Sequence, residues 1–354
     1  MLDYNNPTVA REQLLQCNNS SLATIIEYYF TQANINEIEK LYTLSRYFRN
    51  KYYSNKVYFR GLIEISSYCK QDCYYCGIRK SNKKANRYRL DKGTILECCE
   101  KGNKLGFKTF VLQGGEDPFF TKDIMSDICS SIKKQFPKSA LTLSIGELDY
   151  DFYKKLKENG VDRFLLRHET ATKSHYEKLH PPFMSFDNRQ NCLKILKELK
   201  YQTGAGFMID SPFQNIETIA NDLIFLKNLN PEMIGMGPFL PHKDTPFKNF
   251  KILNINHTLI LLALVRILVP KALIPATTAL ATVDKKYSDL ALINSANVIM
   301  PNLSPPNHRK DYSLYNNKKS WGNESAQQIS NITKNLNNLN LCADFSRGDY
   351  FDLQ

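Results

Sequence analysis

The chain contains no run of five or six like charges, although its 354 residues carry a formal net charge of +12. Lysine and asparagine are spread along its whole length. That speaks for a diffuse lysine-rich surface and against a nucleic-acid partner. It also lacks a long hydrophobic run. The longest, TLILLALVRILV at 258–269, has twelve residues and contains Arg266, too short to cross a bilayer. It reads as a buried helix, and no membrane partner is expected. The opening MLDYNNPTVAREQLLQC has neither a basic region with an apolar core nor an Arg- and Ser-rich, acid-poor stretch, so no targeting peptide is expected. No repeat of fixed period occurs. The nine cysteines are odd in number and unevenly spaced. They exclude a disulfide framework and fit a reducing, cytoplasmic compartment.

What is present is apolar content, 42% hydrophobic and 12% aromatic, ample for a large core. Residues 1–56 are predicted as an N-terminal helical extension. There SSLATIIEYYFTQ starts on serine caps, and NINEIEKLYTLSRYFRNKYY has apolar residues at helical spacing. Over 57–301 strand-like runs alternate with amphipathic stretches. The strand candidates are VYFRGLIEIS, TFVLQG, LTLSIG, RFLLRHE, GAGFMID, MIGMGPF, LIPATTAL and NVIMP. Eight strands with helices between them predict an α/β chain folded as a complete (β/α)8 TIM-type barrel. A doubly wound open sheet is the alternative, and the strand count favours the barrel. Active sites of such barrels lie at the C-terminal strand ends. The residues closing the runs are Ser66, Gly114, Ser144, Glu169, Asp210, Gly237, Thr277 and Pro301. Residues 302–354 turn polar and Asn-rich and read as a tail and lid over the barrel.

The segment SSYCKQDCYYCGIRK puts Cys69, Cys73 and Cys76 on one loop directly after the first strand. Three thiolates so close can converge on one inorganic centre. A structural zinc site would need a fourth ligand, and no neighbouring Cys or His supplies one. Cys98 and Cys99 are adjacent on a helix and cannot both face one ion. A [4Fe–4S] cluster with one open iron fits the count; a zinc loop with a distant ligand is the alternative.

This Cys-x3-Cys-x2-Cys loop resembles that of the radical S-adenosylmethionine (radical SAM) superfamily. In that superfamily SAM chelates the open iron, one electron breaks its S–C5′ bond, and a 5′-deoxyadenosyl radical forms. An aromatic before the third cysteine helps cover the adenine; here it is Tyr75. Further segments, VLQGGEDPFF, LSIGE, DRFLLRHETA, FDNRQNCL, GAGFMID, GPFLPHKDTP, IPATTA and NVIMPN, resemble the HydE family of [FeFe]-hydrogenase maturases over about 57–315. Methylornithine synthase and biotin synthase are related. Gly77, the run Arg167-His168-Glu169-Thr170 and the Gly-Pro-Phe…Pro-His…Asp-Thr-Pro run favour HydE.

The resemblance implies site residues that physical chemistry supports. Glu116, after Gly114 and Gly115, is expected to take the methionyl ammonium, the glycines allowing close backbone approach. Arg189 is expected to pair with the methionyl carboxylate. Glu169 is expected on the ribose hydroxyls, and Ser144 completes the cofactor-binding set. Arg167 is charged inside an apolar run, where an unpaired cation is costly, and an anionic ligand would offset that cost. The family's substrate is an anionic iron–cysteine complex with CO and cyanide. Thr142, Thr277 and Thr278 are expected to donate to it, Met233 and Met300 to wall it, and Tyr312 and Tyr315 to cover it. His168 and His242 read as structural. An electron donor such as ferredoxin or flavodoxin and other hydrogenase maturation proteins are the implied partners.

Two departures stand out. Some homologues carry a second cluster near the C-terminus, but this chain has only Cys342 there, so none is expected. Where the family often shows Gly-Leu-Pro-Gly-Gln, this chain reads IDSPFQ, with Asp210, Ser211 and Phe213. A methylornithine-synthase-like mutase and a non-catalytic iron–sulfur scaffold remain the competing readings.

Overall fold

A computed structural model describes residues 2–318 and 325–353. Helices α1 (Pro7–Gln16), α2 (Asn19–Thr31) and α3 (Ile35–Tyr53) come first. Each starts on an asparagine, Asn6, Asn18 or Asn34, whose side-chain oxygen accepts from orphan N–H groups of the first turn. Asn18 therefore takes the capping role expected of the serines. Asn34 and Glu37 form a reciprocal capping box.

Strands β1 (Lys56–Phe59) and β2 (Gly61–Ser66) are two halves of the first barrel stave. The ring continues through β3 (Thr109–Gly114), β4 (Ala140–Ser144), β5 (Arg163–Leu165), β6 (Gln202–Ala205) with its extension β7 (Met208–Ile209), and β8 (Met233–Ile234) with its extension β9 (Gly237–Pro238). All pairings from β2 to β8 are parallel. Single backbone pairings then carry the ring on. Met233 pairs with Leu273, Pro275 pairs with Val298 of β10 (Val298–Ile299), β10 pairs with β1, and Asn302 pairs with Leu62. Eight staves thus meet around one axis. The seventh, expected over LIPATTAL, has only two pairings. Pro275 has no N–H to donate, and helix α11 (Thr278–Val283) already begins three residues later.

Helices α4 (Lys92–Lys104), α5 (Lys122–Gln135), α6 (Tyr150–Glu158), α7 (Lys173–Leu179), α8 (Phe186–Glu198), α9 (Ile216–Leu229) and α10 (Ile255–Leu268) return the chain between staves. Helix α12 (Lys285–Asn294) follows α11, and α13 (Ser325–Asn338) precedes strand β11 (Cys342–Asp344). The hydrophobic run at 258–269 is indeed a helix buried almost all round, with α3 packed against it. Its Arg266 is compensated by the carbonyls of Ser295, Pro270 and Ala272 at 2.7–2.9 Å. No described helix is long and apolar enough to cross a membrane.

The C-terminal part serves both ends of the barrel. Residues 303–318 cross the mouth, where the strands end. Strand β11 then pairs with β1 at the opposite end, and residues 347–350 run across that floor.

Candidate active site

The cysteine loop follows β2 at the mouth and is fastened on three sides. Lys70 N–H donates to the Glu116 carbonyl at 2.8 Å, Tyr74 N–H to Leu179 at 3.0 Å, and Gly77 N–H to Leu314 at 2.8 Å. A Cβ at Gly115 would lie 2.2 Å from the Tyr68 carbonyl and 2.8 Å from Cys69 Cβ, so this position requires glycine. Cys69, Cys73 and Cys76 are free thiols. Burial pushes all three up, Cys76 to about 12, and the thiols raise one another: Cys69 acts on Cys76, and both act on Cys73. Without a cation they stay protonated. Cys69, Cys73 and Cys76 would hold an iron–sulfur centre as thiolates, and its iron would supply the missing positive charge. Among the described residues no group of three or more His, Cys, Asp or Glu is placed to hold a metal ion, so the fit to a cluster rests on the three thiols sharing one loop. The donor set fits a cluster.

Beside the loop, Arg189 sits between two carboxylates. Its Nε is 2.6 Å from Glu147 Oε1, and its Nη2 is 3.7 Å from Glu116 Oε1. Burial acts against its charge, yet Glu147 and Glu116 hold its pKa above the usual value. Glu116 is pushed up, by burial first and by Glu147, with Arg189 opposing. Its other oxygen accepts from Gln71 Nε2 at 2.7 Å. Gly146, at φ +87°, lets Glu116 lie across the β4 end; a Cβ there would come within 1.9 Å of Glu116 Cγ. A cavity of about 400 Å³ borders this group, lined by Gly115, Glu116, Glu147 and Asn188 among others.

Tyr75 is held by a histidine. His180 Nδ1 meets the Tyr176 carbonyl at 2.9 Å, and a carbonyl only accepts, so Nδ1 carries the proton. Nε2 then accepts from the Tyr75 hydroxyl at 3.1 Å. Burial, with Arg189 adding to it, depresses His180 to about 3, which keeps the ring neutral. On the far side Arg167 Nη2 meets Glu169 Oε2 at 3.0 Å, while the buried Arg167 Nε has no partner. Glu169 holds φ +65°, a left-handed backbone that costs a non-glycine residue energy.

The sequence profile of the Radical SAM superfamily matches residues 63–226. The chain is 46% identical to the [FeFe] hydrogenase maturase subunit HydE of Thermotoga maritima over 280 residues, 79% of this chain and 80% of that one. The chain belongs to the HydE family. It is also 33% identical to 3-methylornithine synthase of Methanosarcina acetivorans over 70% of each chain. The crystal structure of methylornithine synthase (PylB) aligns at a TM-score of 0.79 and 25% identity, covering 94% of this chain and 97% of that one.

In this HydE-family chain the structure gathers Cys69, Cys73, Cys76, Tyr75, Gly115, Glu116, Arg189, Arg167 and Glu169 at one end of the barrel. Gly114 pairs with Ser66, and Ser144 with Gln113, at the strand ends beneath them. Below, Thr142 Oγ1 and Thr277 Oγ1 are buried without a hydrogen-bond partner. Tyr312 is buried with its hydroxyl 3.4 Å from Gln113 Nε2, and Tyr315 lies within reach of Thr282 and Arg167. Three of the expected cavity residues sit elsewhere. Met233 packs low in the barrel with Tyr53, Tyr58, Leu273 and Val298, its sulfur 3.1 Å from Arg60 Nη1. Thr278 and Met300 border a side cavity of about 280 Å³ next to α12 and α13. His168 is structural in its contacts, accepting from Gly206 N–H and facing Asp222.

Sequence reasoning passed over Glu147, His180 and the buried pair of Glu64 and Lys318. Glu147 ends the quoted LSIGE, and its Gly-Glu repeats the Gly-Glu after β3, a usable signal. His180 follows a helix with no pattern to mark it. Glu64 is fully buried on β2, bonded to Asn302 Nδ2 at 2.8 Å and to Lys318 Nζ, which also lies 4.8 Å over the Tyr312 ring. No local signal connects two residues so far apart in the chain.

Proposed function

We propose that the barrel mouth binds SAM beside a [4Fe–4S] cluster on Cys69, Cys73 and Cys76, and that the interior takes a small anionic iron–cysteine complex carrying CO and cyanide. The chain is a radical SAM enzyme of the hydrogenase-maturation type. The observation that carries the SAM site is the buried Arg189 between Glu116 and Glu147. In the free protein the one guanidinium offsets part of the charge of the two carboxylates. A zwitterionic amino acid offers the same two charges, with its carboxylate for Arg189 and its ammonium for the glutamates, so its entry exchanges ion pairs and strands no charge.

When bound, the cluster and SAM together supply one-electron reductive cleavage of a sulfonium C–S bond. The remaining work belongs to side chains. Tyr75, fixed by the neutral His180, offers a ring face to the adenine. Glu169 accepts from the ribose hydroxyls. Arg167, half satisfied by Glu169, has a buried Nε–H left for an anion, and Thr142 and Thr277 have hydroxyls left to donate. Tyr312 and Tyr315 exclude water from above. Other hydrogenase maturation proteins are the expected partners, and the oxygen sensitivity of an open cluster supports a reducing cytoplasm as its compartment.

Anaerobic reconstitution followed by dithionite and SAM tests the reaction class: 5′-deoxyadenosine should form. Addition to a hydrogenase maturation mixture lacking its HydE component should restore hydrogenase activity. Formation of methylornithine from an amino acid without such rescue would instead favour the mutase reading. A cluster that binds SAM without cleaving it would favour a scaffold.

A further inference from the structure

The mouth carries an exposed aromatic platform that the site does not use. Phe213 and Phe250 face solvent and pack edge-on against the buried Phe247, with ring centroids 5.9 and 5.1 Å away. Ile252 and Leu253 follow in the same segment and are exposed as well. Phe213 has φ +66°, a backbone that bulky residues rarely adopt. It lies in the IDSPFQ segment, where this chain departs from the family's glycine-containing loop. Packing on Phe247 and Phe250 covers only part of the ring, which leaves about half of Phe213 in water, and clustered exposed apolar residues mark contact sites.

Phe247 connects this platform to the cysteine loop. Its ring lies 5.9 Å from Tyr74, and its N–H donates to the Tyr74 carbonyl at 3.4 Å. Tyr74 is the chain neighbour of Cys73. Two ring-to-ring steps of 5.9 Å therefore lead from exposed Phe213 to the loop. The surroundings are basic. The Lys178 ammonium lies 5.6 Å over the Phe213 ring, and Lys248 and Lys251 are exposed beside Phe250, with Glu177 the exposed acid next to Lys178. Residues 69–90 carry seven Lys or Arg and one acid, Asp72, which pairs with Arg79.

We propose that this platform docks an acidic one-electron carrier protein over the Tyr74 end of the cysteine loop. The apolar centre with a lysine rim matches an acidic face around an exposed redox group. The inference rests on the radical SAM reading, because that chemistry needs an electron from outside. In the docked complex the carrier loses one electron and the iron–sulfur centre gains it; no bond is made or broken.

The test uses the full chain with Phe213→Ser and Phe250→Ser combined, and Lys178→Glu separately. Each is titrated with a flavodoxin by calorimetry at low and high salt, and SAM cleavage is driven in parallel by reduced flavodoxin or dithionite. Each variant should bind flavodoxin at least about tenfold more weakly. Native affinity should fall with salt. Flavodoxin-driven cleavage should drop while dithionite-driven cleavage stays unchanged. Unaltered flavodoxin affinity in both variants overturns the proposal. Equal loss of dithionite-driven cleavage also overturns it, by making the platform part of the site. So does a native dimer in sedimentation that the double variant dissociates, which would assign the platform to a second copy. If the native protein never cleaves SAM with dithionite, the enzymatic reading fails alone, since the titrations still report docking.

Discussion

Two arginines four residues apart on one stave face opposite ends of the barrel. Arg163 opens β5 at the floor and is fully buried. It meets the carbonyls of Arg347 and Gly348 at 2.8 and 3.1 Å, Asp349 at 2.6 Å, and Gln202 and Thr109 at 3.2 Å. Arg167, near the mouth, has one carboxylate partner and a buried Nε–H with none. Protein groups complete the coordination of Arg163 and leave that of Arg167 open, although the buried Nε of Arg60, Arg163's neighbour at the floor, is also without a hydrogen-bond partner. A saturated guanidinium holds the fold together, whereas an unsaturated one at the mouth waits for a ligand. The same division separates Arg266, compensated by three carbonyls, from Arg189, whose charge is met by two carboxylates that a zwitterion can replace, with the Arg167 carbonyl 3.4 Å from its Nη1.

The largest effect should fall on the mouth. Replacing Cys69, Cys73 or Cys76 with Ala should abolish the iron–sulfur absorbance and SAM cleavage, with little change in the far-ultraviolet circular dichroism. A variant keeping full absorbance and turnover would remove that thiol from the ligand set. Next come the paired arginines. Arg163→Met should lower unfolding free energy in urea by about 3–5 kcal/mol, because the buried carbonyls of Arg347 and Gly348 and the side chains of Gln202 and Thr109 lose their donor, while Asp349 keeps Arg347. Arg167→Met should cost within about 1 kcal/mol, its ion pair being partly exposed. It should still cleave SAM yet fail to support hydrogenase maturation. The reverse ranking of stabilities would break the contrast between floor and mouth.

A smaller effect sharpens the mouth itself. Glu116→Gln and Glu147→Gln should each weaken SAM binding roughly ten- to a hundredfold, the worth of a charge-assisted hydrogen bond. Equilibrium dialysis with labelled SAM reads this. Unchanged affinity in both would move the amino-acid end of SAM away from Arg189. The smallest effect is on pH dependence. His180 is depressed to about 3 in the folded state, against about 6.5 when unfolded. The unfolded chain therefore takes up a proton that the native chain refuses. This contribution leaves stability intact above about pH 6.5 and erodes it as pH falls toward 3. Between pH 7 and 5 the loss should be on the order of 1–2 kcal/mol, and His180→Gln should flatten it. An unaltered slope would mean that His180 is not the titrating group.

Much of this was legible in the residues. TFVLQG became β3 over its whole length, and the hydrophobic run at 258–269 became the buried helix α10, because an apolar run marks each. Short staves were harder. GAGFMID and MIGMGPF each split into two strands around a break, and LIPATTAL gave way to α11, since barrel curvature interrupts ladders that an apolar run alone suggests. Glu116 and Arg189 could be named from motif position. Glu147 carried only its repeated Gly-Glu as a signal, while its role lies in a 2.6 Å approach to a helix more than forty residues away.

The sequence by itself determined the alternation that builds a barrel, the three-thiol loop at its first strand end, and the family. Those properties depend on local period and spacing, which neighbouring residues specify. Tertiary structure decided which buried charges are already paired. Arg163 and Arg167 occupy one apolar run and present the same cost on paper. Only the chain's return across the floor at 347–349 supplies carbonyls and a carboxylate to the first. The second has no such segment beside it, because compensation of a buried charge acts over a few ångströms in space and is blind to distance along the chain.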